Sequence, residues 1–252
     1  MQMVLLTALG VGGATVFGSV LGFLFKKLSH RFSDIVLSFA AGVMLCAAVT
    51  GLILPSLEYE SFSPLLMTVA GIFCGAFCLN VLDKLVPHLH RLAGTDQEAH
   101  PSITAKRSKV LLFVMAIAIH NLPEGIAAGV GFGSGNNAQA LTIAAGIALQ
   151  NIPEGMVIIA PMLAAGISPG RTFLYALATG IVEVAGTLLG YFAVSLSTAI
   201  LPFALAFAGG TMLYVISDEM IPETHAHGEE RGATYALLAG FCLMLAMSYL
   251  LE

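Results

Sequence analysis

Residues 110–130 read Val-Leu-Leu-Phe-Val-Met-Ala-Ile-Ala-Ile-His120-Asn121-Leu122-Pro123-Glu124-Gly125-Ile-Ala-Ala-Gly-Val, a polar hexad sunk in an otherwise apolar run. Thirty positions on, Gln150-Asn151-Ile152-Pro153-Glu154-Gly155 repeats the element in a second apolar run. A run of about 20 apolar residues is long enough to cross a hydrocarbon layer as a helix. Strands would need alternating segments of about ten residues, and these runs do not alternate. Backbone groups in lipid must be satisfied internally, so the pattern predicts an all-α, polytopic bundle.

Working outward, turn signals and polar clusters divide the chain into eight spans near residues 3–25, 34–57, 63–86, 109–132, 138–165, 170–197, 201–221 and 232–251. They form a single transmembrane domain over 1–252, with one long polar connection at 87–108. The composition agrees: 58% of residues are hydrophobic and 10% charged, against roughly 25% charged in soluble domains. The first run has no basic residue before it and Lys26 and Lys27 directly after it, the reverse of a secretory signal, so it reads as a retained span.

All ten lysines and arginines fall in or beside odd-numbered connections. An even number of spans places those connections on one face, which the positive-inside rule makes cytoplasmic, with both termini outside. The acidic second connection, with Glu58 and Glu60, is then external. The bilayer is the expected partner, with no nucleic acid, as a multi-pass protein of the inner (plasma) membrane. Gly71 with Gly75, Gly125 with Gly129, and Gly186 with Gly190 give GxxxG spacing, which permits a homodimer without requiring one. Cys46, Cys74, Cys78 and Cys242 lie in apolar runs without CxxC spacing and read as buried thiols.

Ionisable groups at bilayer depth are costly and usually line a pathway. His120 and Glu124 stand at i and i+4, as do Gln150 and Glu154, so each pair shares a helix face. Pro123 and Pro153 cannot donate a hydrogen bond and each should kink its helix, freeing the carbonyl of Ile119 or Leu149. Interrupted helices in corresponding segments point to a binding site near the midplane. Glu183 adds a third carboxylate in the sixth span. Carboxylate with imidazole suits Zn²⁺, Fe²⁺, Mn²⁺ or Co²⁺ better than Ca²⁺ or Mg²⁺.

At these hexads the sequence resembles the ZIP (Zrt-, Irt-like) divalent metal transporters, most closely the bacterial GufA-type branch, and the likeness covers nearly the whole chain. The resemblance implies eight spans with external termini and a metal site between the fourth and fifth helices. His120, Glu124, Gln150 and Glu154 would surround a first ion, with Met44 from the second span. Asn121, Glu124, Asn151, Glu154 and Glu183 would surround a second. Many family members carry His or Asp where this chain has Gln150 and Asn151, and both replacements remove a strong ligand. The resemblance further implies an exit toward the cytoplasm along Asp83, His88, Asp218, Glu219 and Glu223. His90, His225 and His227 lie in cytoplasmic connections, where they can collect metal or simply be solvated.

The implied activity is passage of a divalent metal into the cytoplasm by alternating access, Zn²⁺ first and Cd²⁺ also admissible, with no cofactor apart from the carried ion. Two other classes fit a buried His and Glu set. An intramembrane metal-dependent hydrolase is disfavoured because no HExxH occurs and only one of seven histidines is deep in a span. A metal-sensing receptor would need a signalling surface for which the chain has no extra domain.

Overall fold

The computed structural model describes residues 1–25, 29–59, 63–85, 103–226, 228 and 230–251. Eight long helical segments account for nearly all of them, and no strand occurs among the described residues. They are α1 (Gln2–Leu24), α2 (His30–Cys46), α3 (Pro64–Leu85), α4 (Ile103–Gly131), α5 (Asn137–Val157), α6 (Pro169–Leu196), α7 (Leu201–Val215) and α8 (Glu230–Leu251). Seven of the eight meet length and hydropathy criteria for crossing a membrane over their described residues, α4 being the exception.

Large apolar side chains stand on the outer surface while charged and amide groups are enclosed. Phe73, Phe77, Leu196 and Tyr249 are each about 70–90% exposed, while Glu124, Gln150, Asn151 and Glu183 are almost completely enclosed. Water would penalise that inversion and lipid rewards it, since exposed apolar patches of this extent do not persist on soluble monomers. The molecule is a multi-pass membrane protein.

Local chemistry sets the ends of the helices. Ser29 caps α2 by accepting from the Phe32 amide at 3.2 Å, and Asn136 caps α5 by accepting from the amides of Ala138 and Gln139. Pro64, Pro169 and Pro202 sit in first turns, where a missing N–H costs nothing. The helix α4 begins at Ile103, inside the segment that sequence assigned to the long connection. Thr104-Ala105-Lys106-Arg107-Ser108 carries no glycine or proline to stop it. Residues 86–102 of that connection lie outside the described set.

Sequence expects a kink at each hexad proline, and α4 stays continuous as a helix through Pro123. The fifth span is interrupted at Ile158, five positions beyond Pro153, and resumes as Ile159–Ala164. One missing N–H in a helix held on several sides is a local loss that its neighbours can carry. Two wider turns were not anticipated. α2 continues through a π-helical stretch, Ala47–Ile53, into Leu54–Ser56, and α7 through Ile216–Met220 into Ile221–Thr224. Each stretch ends two residues before a proline, Pro55 or Pro222. π turns inside α-helices are frequently functional.

The helices sort into two groups. α4 packs along α6, and α1 along both α5 and α6; separately, α3 packs along α7 and α2 along α8. α2 against α5 and α4 against α7 join the groups. The GxxxG pairs are used within the chain: Gly71 and Gly75 admit Phe203 and Phe207 of α7, while Gly125, Gly129, Gly186 and Gly190 knit α4 to α6. These glycines are therefore covered by the chain's own helices. Of the cysteines, Cys46 is buried as expected, but Cys74, Cys78 and Cys242 face outward, where lipid is as apolar an environment as a core.

Candidate metal centre

In the second hexad Gln150 and Glu154 stand four apart and share a face, and in the first Asn121 and Glu124, three apart, do the same. Gln150 Nε2 donates to Glu124 Oε1 at 2.9 Å, which ties α5 to α4. Asn151 Nδ2 donates to Glu183 Oε2 at 2.7 Å, with a longer contact to the Val11 carbonyl at 3.3 Å. Asn121 Nδ2 donates to Glu183 Oε1. Glu154 lies within electrostatic range of His120, Glu124 and Glu183. Six of the sequence-predicted residues from α4, α5 and α6 thus meet in one polar cluster: Asn121, Glu124, Gln150, Asn151, Glu154 and Glu183.

The glycine ending each hexad makes this convergence possible. A Cβ at Gly125 would stand 2.3 Å from the Glu183 carbonyl oxygen, and one at Gly155 would stand 2.1 Å from that of Thr15. The two glycines therefore let α6 and α1 approach within backbone contact and bring Glu183 and Thr15 to the hexads. Thr15 Oγ1 donates to Glu183 Oε1 at 2.6 Å. Thr15 carries no motif in the sequence. The only trace of it is its spacing of three from Gly12 and from Gly18, glycines that neighbouring backbones approach closely.

His120 is placed differently from its counterpart Gln150. Its Nε2 lies 2.8 Å from Glu219 Oε1, in the π-helical stretch after α7. That contact crosses between the two helix groups and joins the hexad to one residue of the implied exit path. Among the others on that path, Asp218 and Glu223 are exposed near the end of the seventh span. The side chain of Asp83 and the whole of His88 lie outside the described residues, as do His90 and His227. His225 is held by Thr224, Thr234 and the Ile221 carbonyl. Met44 is fully enclosed at the end of α2.

The electrostatics of the cluster are one-sided. Five buried oxygens have no hydrogen-bond donor: Asn121 Oδ1, Glu124 Oε2, Gln150 Oε1, Asn151 Oδ1 and Glu154 Oε1. All five only accept when the carboxylates are ionised, and the sequence supplies no lysine or arginine between Lys109 and Arg171 or between Arg171 and Arg231. Buried polar atoms left without partners are expensive. A set made entirely of acceptors is relieved by a cation. Among the described residues no three His, Cys, Asp or Glu side chains by themselves form a metal-holding group; the donor set is carboxylate mixed with amide oxygen.

A family description, ZIP Zinc transporter, matches residues 84–248. The chain belongs to the ZIP family. It is 40% identical over 249 residues to the zinc transporter GufA of Myxococcus xanthus, covering 96% of each chain. It is 36% identical over 245 residues to the zinc transporter ZIPB of Bordetella bronchiseptica, covering 92% of this chain and 76% of that one. The zinc transporter ZIP11 of Homo sapiens is 30% identical over 318 residues, with 93% of each covered. The resemblance read from the hexads is thereby borne out along the chain's length.

Proposed function

We propose that this chain carries divalent transition metal ions, Zn²⁺ foremost, across the inner membrane into the cytoplasm by alternating access, with the ion held between the hexads of α4 and α5. The observation that carries the reading is the set of five buried acceptor oxygens without donors, contributed by both hexads. A dehydrating cation supplies to all five what no side chain supplies. The relatives' names as zinc transporters support the same cargo.

In this reading Glu124 and Glu154 are the charged ligands, with Gln150, Asn121 and Asn151 adding neutral oxygens, His120 an imidazole, Glu183 a third carboxylate and Met44 a thioether. Eight spans with both termini outside put the basic connections in the cytoplasm. The ion then leaves past Glu219, already in contact with His120, toward Asp218, Glu223, Asp83 and His88. Transport rather than catalysis is favoured because buried amide oxygens complete the donor set, where a hydrolase would keep several histidines and an open water position.

The test is uptake of radioactive Zn²⁺ into proteoliposomes under an inward gradient, with the native chain against Glu124→Ala. Saturable uptake by the native chain and none by the variant is expected. Tight Zn²⁺ binding without uptake by the native chain would move the assignment to a receptor or hydrolase.

A further inference from the structure

We infer that Thr15, on α1, is a positioning residue for the cargo site, and that with Glu183 it fixes the amides of Asn121 and Asn151 so that their carbonyl oxygens are left for the ion. The inference rests on the proposed cargo site and names how part of it is set.

Hydroxyls inside helices commonly turn back onto their own helix. Thr142, Thr179, Thr187 and Thr211 do so here, each donating to a carbonyl three or four residues earlier. Thr15, fully buried, instead sends its one proton across to Glu183 Oε1 at 2.6 Å. The same oxygen accepts from Asn121 Nδ2, and Oε2 accepts from Asn151 Nδ2 at 2.7 Å. Three neutral donors from three helices thus converge on one carboxylate.

An ionised carboxylate can only accept, so the edge that each amide turns toward Glu183 must be its NH₂ edge. The carbonyl edges then face away, and Asn121 Oδ1 and Asn151 Oδ1 are two of the five buried oxygens without donors. Glu183 therefore also acts through the amides: it accepts from three protein donors and orients two dipoles for the ion. Thr15 in turn holds Glu183 in the rotamer that reaches both amides. Partners that orient metal ligands commonly matter about as much as the ligands.

The experiment is a KM and Vmax comparison for Zn²⁺ in proteoliposomes bearing the full chain, with Thr15→Val, Thr15→Ser, and Thr15→Val combined with Asn151→Ala. Thr15→Val is expected to raise KM about tenfold, the low end for such orienting partners, with Vmax held within about twofold. Thr15→Ser, which keeps the hydroxyl, restores the native KM. In the Asn151→Ala background the effect of Thr15→Val shrinks, because one amide through which it acts is gone. If Thr15→Val does not yield folded protein, Thr15→Ala carries the same comparison. A native KM in the hydroxyl-free variant, a loss of Vmax alone, or full additivity with Asn151→Ala would overturn the inference. Failure of the underlying site reading would show separately, as uptake that survives Glu124→Ala.

Discussion

The two hexads share four kinds of residue at four equal offsets, and those positions are used in matching ways. Asn121 and Asn151 both donate to Glu183, and Glu124 and Glu154 both keep an oxygen without a donor. Gly125 and Gly155 both admit a neighbouring backbone. The first position separates them: Gln150 turns inward to Glu124, whereas His120 reaches across to Glu219. Equal spacing fixes what points into the cluster, and the residue placed at the first offset decides which hexad also touches the way out.

The largest effect should come from removing what the hexads share. Glu124→Ala and Glu154→Ala are each expected to lower Zn²⁺ uptake in proteoliposomes by about a hundredfold or more, since each removes a charged ligand from a buried site. A variant retaining a tenth of native uptake would break the symmetry argued for the carboxylates. Gly125→Ala and Gly155→Ala come next. Their new methyl groups would meet backbone oxygens at 2.3 and 2.1 Å, and overpacking of this kind costs about 1–3 kcal/mol. Gly13→Ala on α1 meets nothing within 4 Å and should be neutral, so thermal unfolding in detergent of the three variants side by side checks the claim.

The difference at the first position can be tested by exchange. His120→Gln makes the hexads alike and should raise the Zn²⁺ KM by about tenfold, as loss of one imidazole ligand does, while Gln150→His should lower it. Equal and opposite results would show that the two offsets are interchangeable at the ion. A KM unmoved by His120→Gln would confine His120 to its pairing with Glu219. The smallest effect is on pH. Zn²⁺ binding displaces protons from its ligands, so uptake at low Zn²⁺ should weaken as the external pH is lowered; uptake unchanged between neutral and acidic external pH would count against a carboxylate and imidazole site.

Much of this was legible because it is written at short range. The apolar runs mark the helices, and the repeated hexads mark which segments of α4 and α5 carry the polar side chains that meet. What was not legible depends on residues far apart in sequence. Thr15 reaches Glu183 across 168 positions, and a threonine in a glycine-rich span looks the same whether it bonds its own helix or another. The pairing of His120 with Glu219 needs the π turn at Ile216–Met220, for which no residue pattern gave warning.

Both hexads are proposed to hold the same ion, and equilibrium binding of Zn²⁺ to the purified chain, beside Glu124→Ala and Glu154→Ala, decides whether they do. Either substitution alone is expected to remove all tightly bound Zn²⁺. Removal of half the bound metal by each, with the other half retained at native affinity, would mean two independent sites and would contradict it.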